Sequence, residues 1–178
     1  TGSSKSAKAL REETDAIREA KSFIEENLVA GALYAKAGDG KVNVHFTVSP
    51  EHRALFEQLV AAKAAGYAAQ HEATFDISFS EQKSSTDTVA ANADNTPFRN
   101  ADGSLLFRPG GHGALIENLN DIDGDVVFIK NIDNVVPDRL KGDTVTYKKL
   151  LAGLLVDLQK QAFAYLEKLD SGKYTMDE

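Results

Sequence analysis

Residues 41–48 carry a clear alternation of apolar and polar side chains, and this period of two predicts a β-strand. The apolar positions predict one better-buried face, formed by Val42, Val44, Phe46 and Val48. A similar alternation predicts a second strand over residues 73–80. A short strand is predicted at residues 104–107, and the apolar run DVVFIK at residues 125–130 predicts a buried strand.

Helical patterns lie between and around these strands. Residues 6–33 are rich in Ala, Glu, Lys and Leu, which favour helix. Ser49–Pro50 combines an N-cap residue with a first-turn proline, and predicts a helix that covers residues 51–70. A brief helix is predicted at residues 114–119, and a long one at residues 144–169, where leucines recur on one side.

Strands that alternate with helices predict a three-layer α/β fold, in which a mostly parallel sheet is flanked by helices. The length of 178 residues is that of one domain, which we expect to cover residues 1–178, on its own or as part of a longer chain. In such sheets, ligands bind beyond the carboxyl ends of the strands. We therefore expect function at the edge shared by the loops that leave the predicted strands, at residues 49–50, 80–83, 108–113 and 131–134.

Composition removes several classes of function. The 27 acidic and 20 basic residues give a formal charge of −7, so the chain lacks the basic excess typical of proteins that bind nucleic acid or anionic membranes. The absence of cysteine excludes disulfides, thiolate metal sites and cysteine nucleophiles. No apolar run approaches the roughly 20 residues that cross a bilayer, and the first residues lack a signal core. We expect a cytoplasmic protein whose partner is a small molecule.

A glycine loop, RPGGHG at residues 108–113, is one candidate for chemistry. Gly110, Gly111 and Gly113 let the backbone approach a planar base or a phosphate, because glycine has no Cβ. The helix that follows would direct free N–H groups and the positive end of its dipole at an anion. His112 can donate to or accept from a base or a ribose. A turn between strand and helix without any ligand is the alternative that these residues leave open.

A second candidate is the NIDN loop at residues 131–134, which follows the predicted strand at residues 125–130. A carboxylate at the end of a strand can bind Mg²⁺, which keeps most of its water and takes one or two protein oxygens. Asp133 is therefore a candidate ligand for Mg²⁺. The alternative is an Asx turn, in which Asn and Asp side chains cap the loop without a metal.

Two longer stretches are more specific than these motifs: LLFRPGGHGALIENLN at residues 105–120 and DVVFIKNIDNVVPDRL at residues 125–140. They resemble the UDP-sugar pyrophosphorylases, which carry a P-G-H-G type loop and then a strand that ends in an I-D-N loop. Together with ALYAK and VHFTVSPEH, they also resemble an uncharacterised bacterial family, domain of unknown function 4301, over residues 26–170.

The resemblance implies a nucleotide-diphospho-sugar transferase fold that binds a nucleotide or nucleotide-sugar, with nucleotidyl transfer to a sugar phosphate as its activity. In the pyrophosphorylases, the loop matched by residues 110–113 contacts the nucleoside and the sugar, and the matched Asp133 lies near the phosphates and their Mg²⁺. Asn131 is placed with the same nucleotide and sugar contacts. Gln82 is the nearest match to a base-contacting glutamine in an F-x-Q element, with one extra residue between it and Phe79.

One family feature has no counterpart in this chain. The pyrophosphorylases begin with a glycine-rich loop that carries an arginine, followed by a Pro-Lys pair, and both bind the triphosphate. None of the 4 prolines here is followed by lysine. The alternative function is therefore a non-catalytic binding or regulatory module that keeps the fold. Two helical blocks also join at Glu25 and Glu26 with no room for the strand expected between them, which predicts a gap in the chain there.

Overall fold

The computed structural model describes residues 23–131, 136, 140–172 and 174. Its helices are α1 (residues 23–34), α2 (Pro50–His71), α3 (Ile116–Leu119) and α4 (Lys141–Ser171). Its strands are β1 (Lys41–Val48), β2 (Thr74–Glu81), β3 (Thr88–Val89) and β4 (Phe107–Arg108). Short 3₁₀ helices cover Ser84–Thr86 and His112–Leu115.

β1 and β2 form a parallel pair that is joined by α2, so the central unit of the fold is a βαβ motif. The register pairs Lys41 with Thr74 and continues, residue by residue, to Val48 opposite Glu81. β3 and β4 form a separate antiparallel pair of two residues each. The protein is therefore a mixed α/β fold with a small parallel sheet flanked by helices, which confirms the predicted fold class in its coarse outline.

The apolar face of the β1–β2 pair carries the core. Four residues of α1 and β1 are buried together: Ile24, Leu28, Phe46 and Val48. Phe46 is central because its ring contacts three other rings. They are Phe23 of α1, Phe56 of α2 and Phe79 of β2, at centroid distances of 5.9, 6.5 and 5.7 Å. The predicted inward face of β1 is confirmed.

α1 is held to the rest of the fold by two ion pairs. Glu25 lies 3.0 Å from Lys63 Nζ of α2, and Glu26 lies 2.9 Å from Lys141 Nζ at the start of α4. The helix runs through both glutamates without interruption, so the gap predicted at this point is not present. The part of the predicted helix before residue 23 lies outside the described residues.

α2 begins where the sequence predicts. Ser49 has an extended backbone, with φ −76° and ψ 147°, and Pro50 takes the first helical position. At the other end Glu72 adopts a left-handed conformation with φ 48°, and its N–H donates to the Ala68 carbonyl. Because α2 returns the chain from the end of β1 to the start of β2, the two strands can lie parallel.

The predicted buried strand at residues 125–130 is wrong, because these residues form neither strand nor helix. Phe128 packs on Tyr34 of α1 with ring centroids 5.0 Å apart, whereas Val127 and Ile129 are 41% and 66% exposed. A strand needs a neighbour for its backbone hydrogen bonds, and none of the described strands pairs with this segment. The strand predicted at residues 104–107 is instead the two-residue β4.

α4 is the long helix that the leucine pattern predicts, and it ends at Gly172 in a left-handed conformation with φ 65°. The leucines are more than half exposed, at Leu150, Leu151, Leu154, Leu155 and Leu158. The helical period of the leucines is thus confirmed, although the leucine-bearing side of α4 is not buried against the described part of the chain. None of the described helices is long and apolar enough to cross a membrane.

We expect Phe46→Ala to lower the free energy of unfolding by about 3–5 kcal/mol, because it leaves a cavity among the aromatic rings. Phe163→Ala on α4 is the matched control, since Phe163 is 61% exposed, and it should change the free energy of unfolding by less than about 0.5 kcal/mol. Urea unfolding followed by circular dichroism measures both variants. Equal losses in the two would contradict the position of the core.

Candidate functional site

A groove of about 1800 Å³ runs along β1. One wall is the polar face of the β1–β2 pair, and α1 and α4 contribute further surface. His112 and Gly113 of the glycine loop line the groove, and so do Lys130 and Asn131. Residues from both loops that the sequence marks as functional therefore face one groove.

The polar face of the β1–β2 pair follows directly from the alternation and the register. Its side chains come from the odd positions of β1 and the even positions of β2: Lys41, Asn43, His45, Thr47, Thr74, Asp76, Ser78 and Ser80. All of these residues except Thr74 line the groove. Lys41 and Asp76 form an ion pair of 2.9 Å. The wall thus offers hydroxyls, an amide and an imidazole, and its lysine is paired with its aspartate.

His45 is the centre of this polar wall. Its Nδ1 lies 2.8 Å from Ser78 Oγ, and its Nε2 lies 2.8 Å from Ser80 Oγ, so both ring nitrogens meet hydroxyls. Partial burial lowers the pKa of His45 below its ordinary value of 6.5, which favours the neutral ring. A neutral ring has one donor and one acceptor, so one serine accepts from it and the other donates to it. The imidazole is thereby held in a defined orientation.

Ser80 and Asn118 connect the polar wall to the segment after the glycine loop. Asn118 of α3 is 4% exposed, and its Nδ2 donates to Ser80 Oγ at 3.0 Å and to the Glu81 carbonyl at 2.8 Å. Thr47 Oγ1 lies 3.1 Å from the same serine hydroxyl. These contacts hold α3 at the carboxyl end of β2. Asn118 is not among the residues predicted from the sequence, although an amide within the largely apolar run at residues 114–119 is a signal of a buried polar contact.

The residues of the glycine loop have different environments. His112 and Gly113 line the groove, whereas Gly110 packs against the chain after β2. A Cβ on Gly110 would lie 2.8 Å from the Thr86 carbonyl oxygen, so glycine is needed there for packing. Gly111 has a φ of −71° and open space around its Cβ position, so other residues fit its backbone. The loop therefore has a packed part and an open part.

The brief helix predicted at residues 114–119 is present, as a 3₁₀ helix that continues into a short α-helix. His112–Leu115 is a 3₁₀ helix, and α3 adds only the four residues of Ile116–Leu119. A helix dipole grows from aligned peptide units, so one short turn contributes little to anion binding. The expected attraction of a phosphate to this helix start has little support in this geometry, and the loop offers its backbone and His112 instead.

Gln82 lies against the back of the glycine loop. Its Nε2 donates to Thr86 Oγ1 at 3.1 Å and lies 3.5 Å from the position that a Cβ on Gly110 would take. Gln82 and the glycine loop therefore lie side by side. The resemblance assigns both of them to contacts with the nucleotide. Gln82 does not line the groove, so contact with a base would require its side chain to leave Thr86.

The predicted metal ligand, Asp133, lies outside the described residues, whereas Asn131 of the same loop lines the groove. Within residues 23–131 and the described residues beyond them, no three or more His, Asp or Glu side chains come together as a metal site. Mg²⁺ at Asp133 therefore stays a prediction.

Lys130 is a groove residue that the sequence analysis did not single out. Its Nζ donates to the Glu26 carbonyl at 3.4 Å. Burial lowers the pKa of the Lys130 ammonium; Glu26 opposes this shift, while Lys141 and Lys148 add to it. An anion bound beside the ammonium would offset its lost hydration, so this position suits a phosphate. Its place directly before the NIDN loop is the signal that could have marked it.

We expect Gly110→Ala to lower the free energy of unfolding by about 1–3 kcal/mol, because its Cβ would overlap the Thr86 carbonyl oxygen. Gly111→Ala is the matched control, since its Cβ would meet open space, and it should change the free energy of unfolding by less than about 1 kcal/mol. Thermal and urea unfolding measure both. If the two variants are equally stable, the close approach at Gly110 is not a constraint on the fold.

We expect stability to fall on acidification in part through His45. Because its folded pKa lies below the unfolded value, the unfolded chain takes up the proton first as the pH falls. The contribution of His45 is complete above the unfolded value of 6.5 and is lost as the pH falls toward the folded pKa. Between about pH 7.5 and about pH 5, the free energy of unfolding measured in urea should fall less in His45→Asn than in the parent protein. An equal fall in the two proteins would contradict this role of His45.

Comparison with known proteins identifies the chain at the level of a family. A family model described as Domain of unknown function (DUF4301) matches residues 5–178. No curated protein and no solved structure matches the chain. The family assignment therefore covers nearly the whole sequence, including the polar wall and both loops of the groove.

Proposed function

The chain belongs to the family described as Domain of unknown function (DUF4301), and we propose that it binds a nucleotide or a nucleotide-sugar in the groove along β1. The observation that carries this proposal is that His112 and Gly113 of one loop line the same groove as Lys130 and Asn131. The resemblance of these two segments to UDP-sugar pyrophosphorylases supplies the ligand class. A fold like that of the nucleotide-diphospho-sugar transferases is part of the same proposal.

The groove suits a ligand that combines a base, a phosphate and hydroxyl groups. His112 offers a hydrogen bond, and the backbone at Gly113 leaves room for a flat base. Lys130 offers a half-buried positive charge. A phosphate beside it would be stabilised more strongly than in bulk water, because the surroundings are less polar. Base and phosphate then each have a partner within one groove.

Nucleotidyl transfer to a sugar phosphate is the reaction that we assign to this groove. The sugar phosphate attacks the α-phosphate of a nucleoside triphosphate and displaces pyrophosphate, so the protein has to align the reactants and neutralise their charge. We assign Mg²⁺ to Asp133, where the cation would neutralise part of the phosphate charge. Lys130 would add a positive charge from the groove wall.

A non-catalytic binding or regulatory module is the second candidate. It is favoured by the absence of a Pro-Lys pair, since the residues after Pro50, Pro97, Pro109 and Pro137 are Glu, Phe, Gly and Asp. Without such a pair the triphosphate has fewer cations to contact, and transfer would be slow or absent. Both candidates share nucleotide binding and differ in the release of pyrophosphate.

Calorimetric titration with UTP and Mg²⁺ tests the shared step. We expect Gly113→Val to weaken the affinity for UTP by on the order of tenfold, because its side chain would enter the groove. Its Cβ would meet open space, so the fold should tolerate the change. Gly38→Val is the matched control, because Gly38 has equally open surroundings and does not line the groove.

A pyrophosphate-release assay with UTP, glucose 1-phosphate and Mg²⁺ separates the two candidates. Turnover supports the transferase. UTP binding without turnover supports the non-catalytic module. Absence of UTP binding to the parent protein, or equal affinities in Gly113→Val and Gly38→Val, contradicts the placement of a nucleotide in this groove.

A further inference from the structure

The polar wall formed by β1 and β2 has no role in the function proposed so far, although seven of its residues line the groove. We propose that this wall, centred on His45 and Ser78, is the subsite for the vicinal hydroxyl groups of a sugar in the ligand. The subsite rests on the proposed function for its ligand class, and it deepens that function by stating which part of the ligand lies on which surface.

Ser78 has hydrogen-bonding capacity to offer a ligand. Its side chain is exposed, and its hydroxyl lies 2.8 Å from His45 Nδ1. A hydroxyl can take part in three hydrogen bonds, one as donor and two as acceptor, so the His45 contact leaves room for others. A sugar hydroxyl can both donate and accept, which matches what Ser78 has left.

His45 keeps this surface ordered. Ser78 and Ser80 contact opposite nitrogens of its ring, and Asn118 Nδ2 in turn donates to Ser80 at 3.0 Å. The chain of hydrogen bonds therefore runs from the buried Asn118 of α3 to the exposed Ser78. Binding costs less when the contacting groups are already ordered, so this arrangement favours directional contacts with a ligand.

The charge of the polar wall favours neutral hydroxyls over phosphate. Lys41 Nζ lies 2.9 Å from Asp76 Oδ2, so the lysine and the aspartate of the wall neutralise each other. The other residues of the wall carry amide, imidazole and hydroxyl groups, which pair with hydroxyls as donors and acceptors. A phosphate would instead be attracted to the ammonium of Lys130. The sugar is therefore the part of the ligand that fits this wall.

A buried acceptor beside the wall supports the same assignment. Asn118 Oδ1 is closed to solvent and meets no hydrogen-bond donor, while Nδ2 of the same side chain is held by Ser80 and Glu81. An unsatisfied buried acceptor is costly, so the folded state would be stabilised if a donor reached it. A ligand hydroxyl that entered between α3 and the polar wall would supply that donor.

Calorimetric titrations with UDP, UDP-glucose and glucose 1-phosphate test the subsite. We expect Ser78→Ala to weaken binding of the two hexose ligands about two- to tenfold, which corresponds to one lost hydrogen bond. Thr74→Ala is the matched control, because Thr74 lies on the same face of β2, is exposed and does not line the groove. It should leave all three affinities unchanged. Both substituted side chains are exposed, so both variants should fold.

The three ligands separate the sources of the hydroxyl groups. If Ser78→Ala has a lower affinity for UDP-glucose and glucose 1-phosphate, the wall contacts the hexose. If it has a lower affinity for UDP, the wall contacts the ribose. Both results support the subsite. Unchanged affinity in Ser78→Ala for the ligands that bind overturns it, and so does failure of all three to bind the parent protein. If UDP and UDP-glucose do not bind, the proposed nucleotide binding fails, and glucose 1-phosphate alone decides the subsite.

Discussion

The in-register parallel pairing of β1 and β2 is the constraint on which the rest of this protein depends. Both strands alternate apolar and polar residues, and the register places Val42 opposite Phe75 and His45 opposite Ser78. A shift of one residue would bring the apolar side chains of one strand beside the polar side chains of the other. The core around Phe46 and the polar wall around His45 are therefore opposite faces of the same pairing.

The groove is bounded by both faces of the strand pair. α1 and α2 contribute residues to the core on the apolar face, and the groove is lined by Val44 and Phe46 of that face as well as by the polar face. Asn118 then ties α3 to the end of β2, and Gly110 fits against the Thr86 carbonyl oxygen. These two contacts position the glycine loop beside the polar wall, so the shape of the groove depends on contacts between segments far apart in the chain.

The surfaces of the groove differ in chemistry, and this difference is the basis of the functional proposal. The polar wall is rich in neutral hydrogen-bonding groups, and Lys130 adds a half-buried cation. The open part of the glycine loop adds a histidine and accessible backbone. A nucleotide-sugar combines hydroxyls, phosphates and a base, so its parts can be distributed among these surfaces.

The sequence alone determined β1, β2, α2 and α4, because alternation, helical period and a first-turn proline such as Pro50 act between close neighbours. It also marked the glycine loop, through its glycines and histidine, and the NIDN loop, through its carboxylate, as candidates. Only the tertiary structure decided that residues 125–130 are not a strand, since a strand requires a partner from elsewhere in the chain. It alone separated the packed Gly110 from the open Gly111, and it brought Asn118 and Lys130 to the groove. Those roles depend on contacts between residues far apart in sequence, which no local pattern encodes.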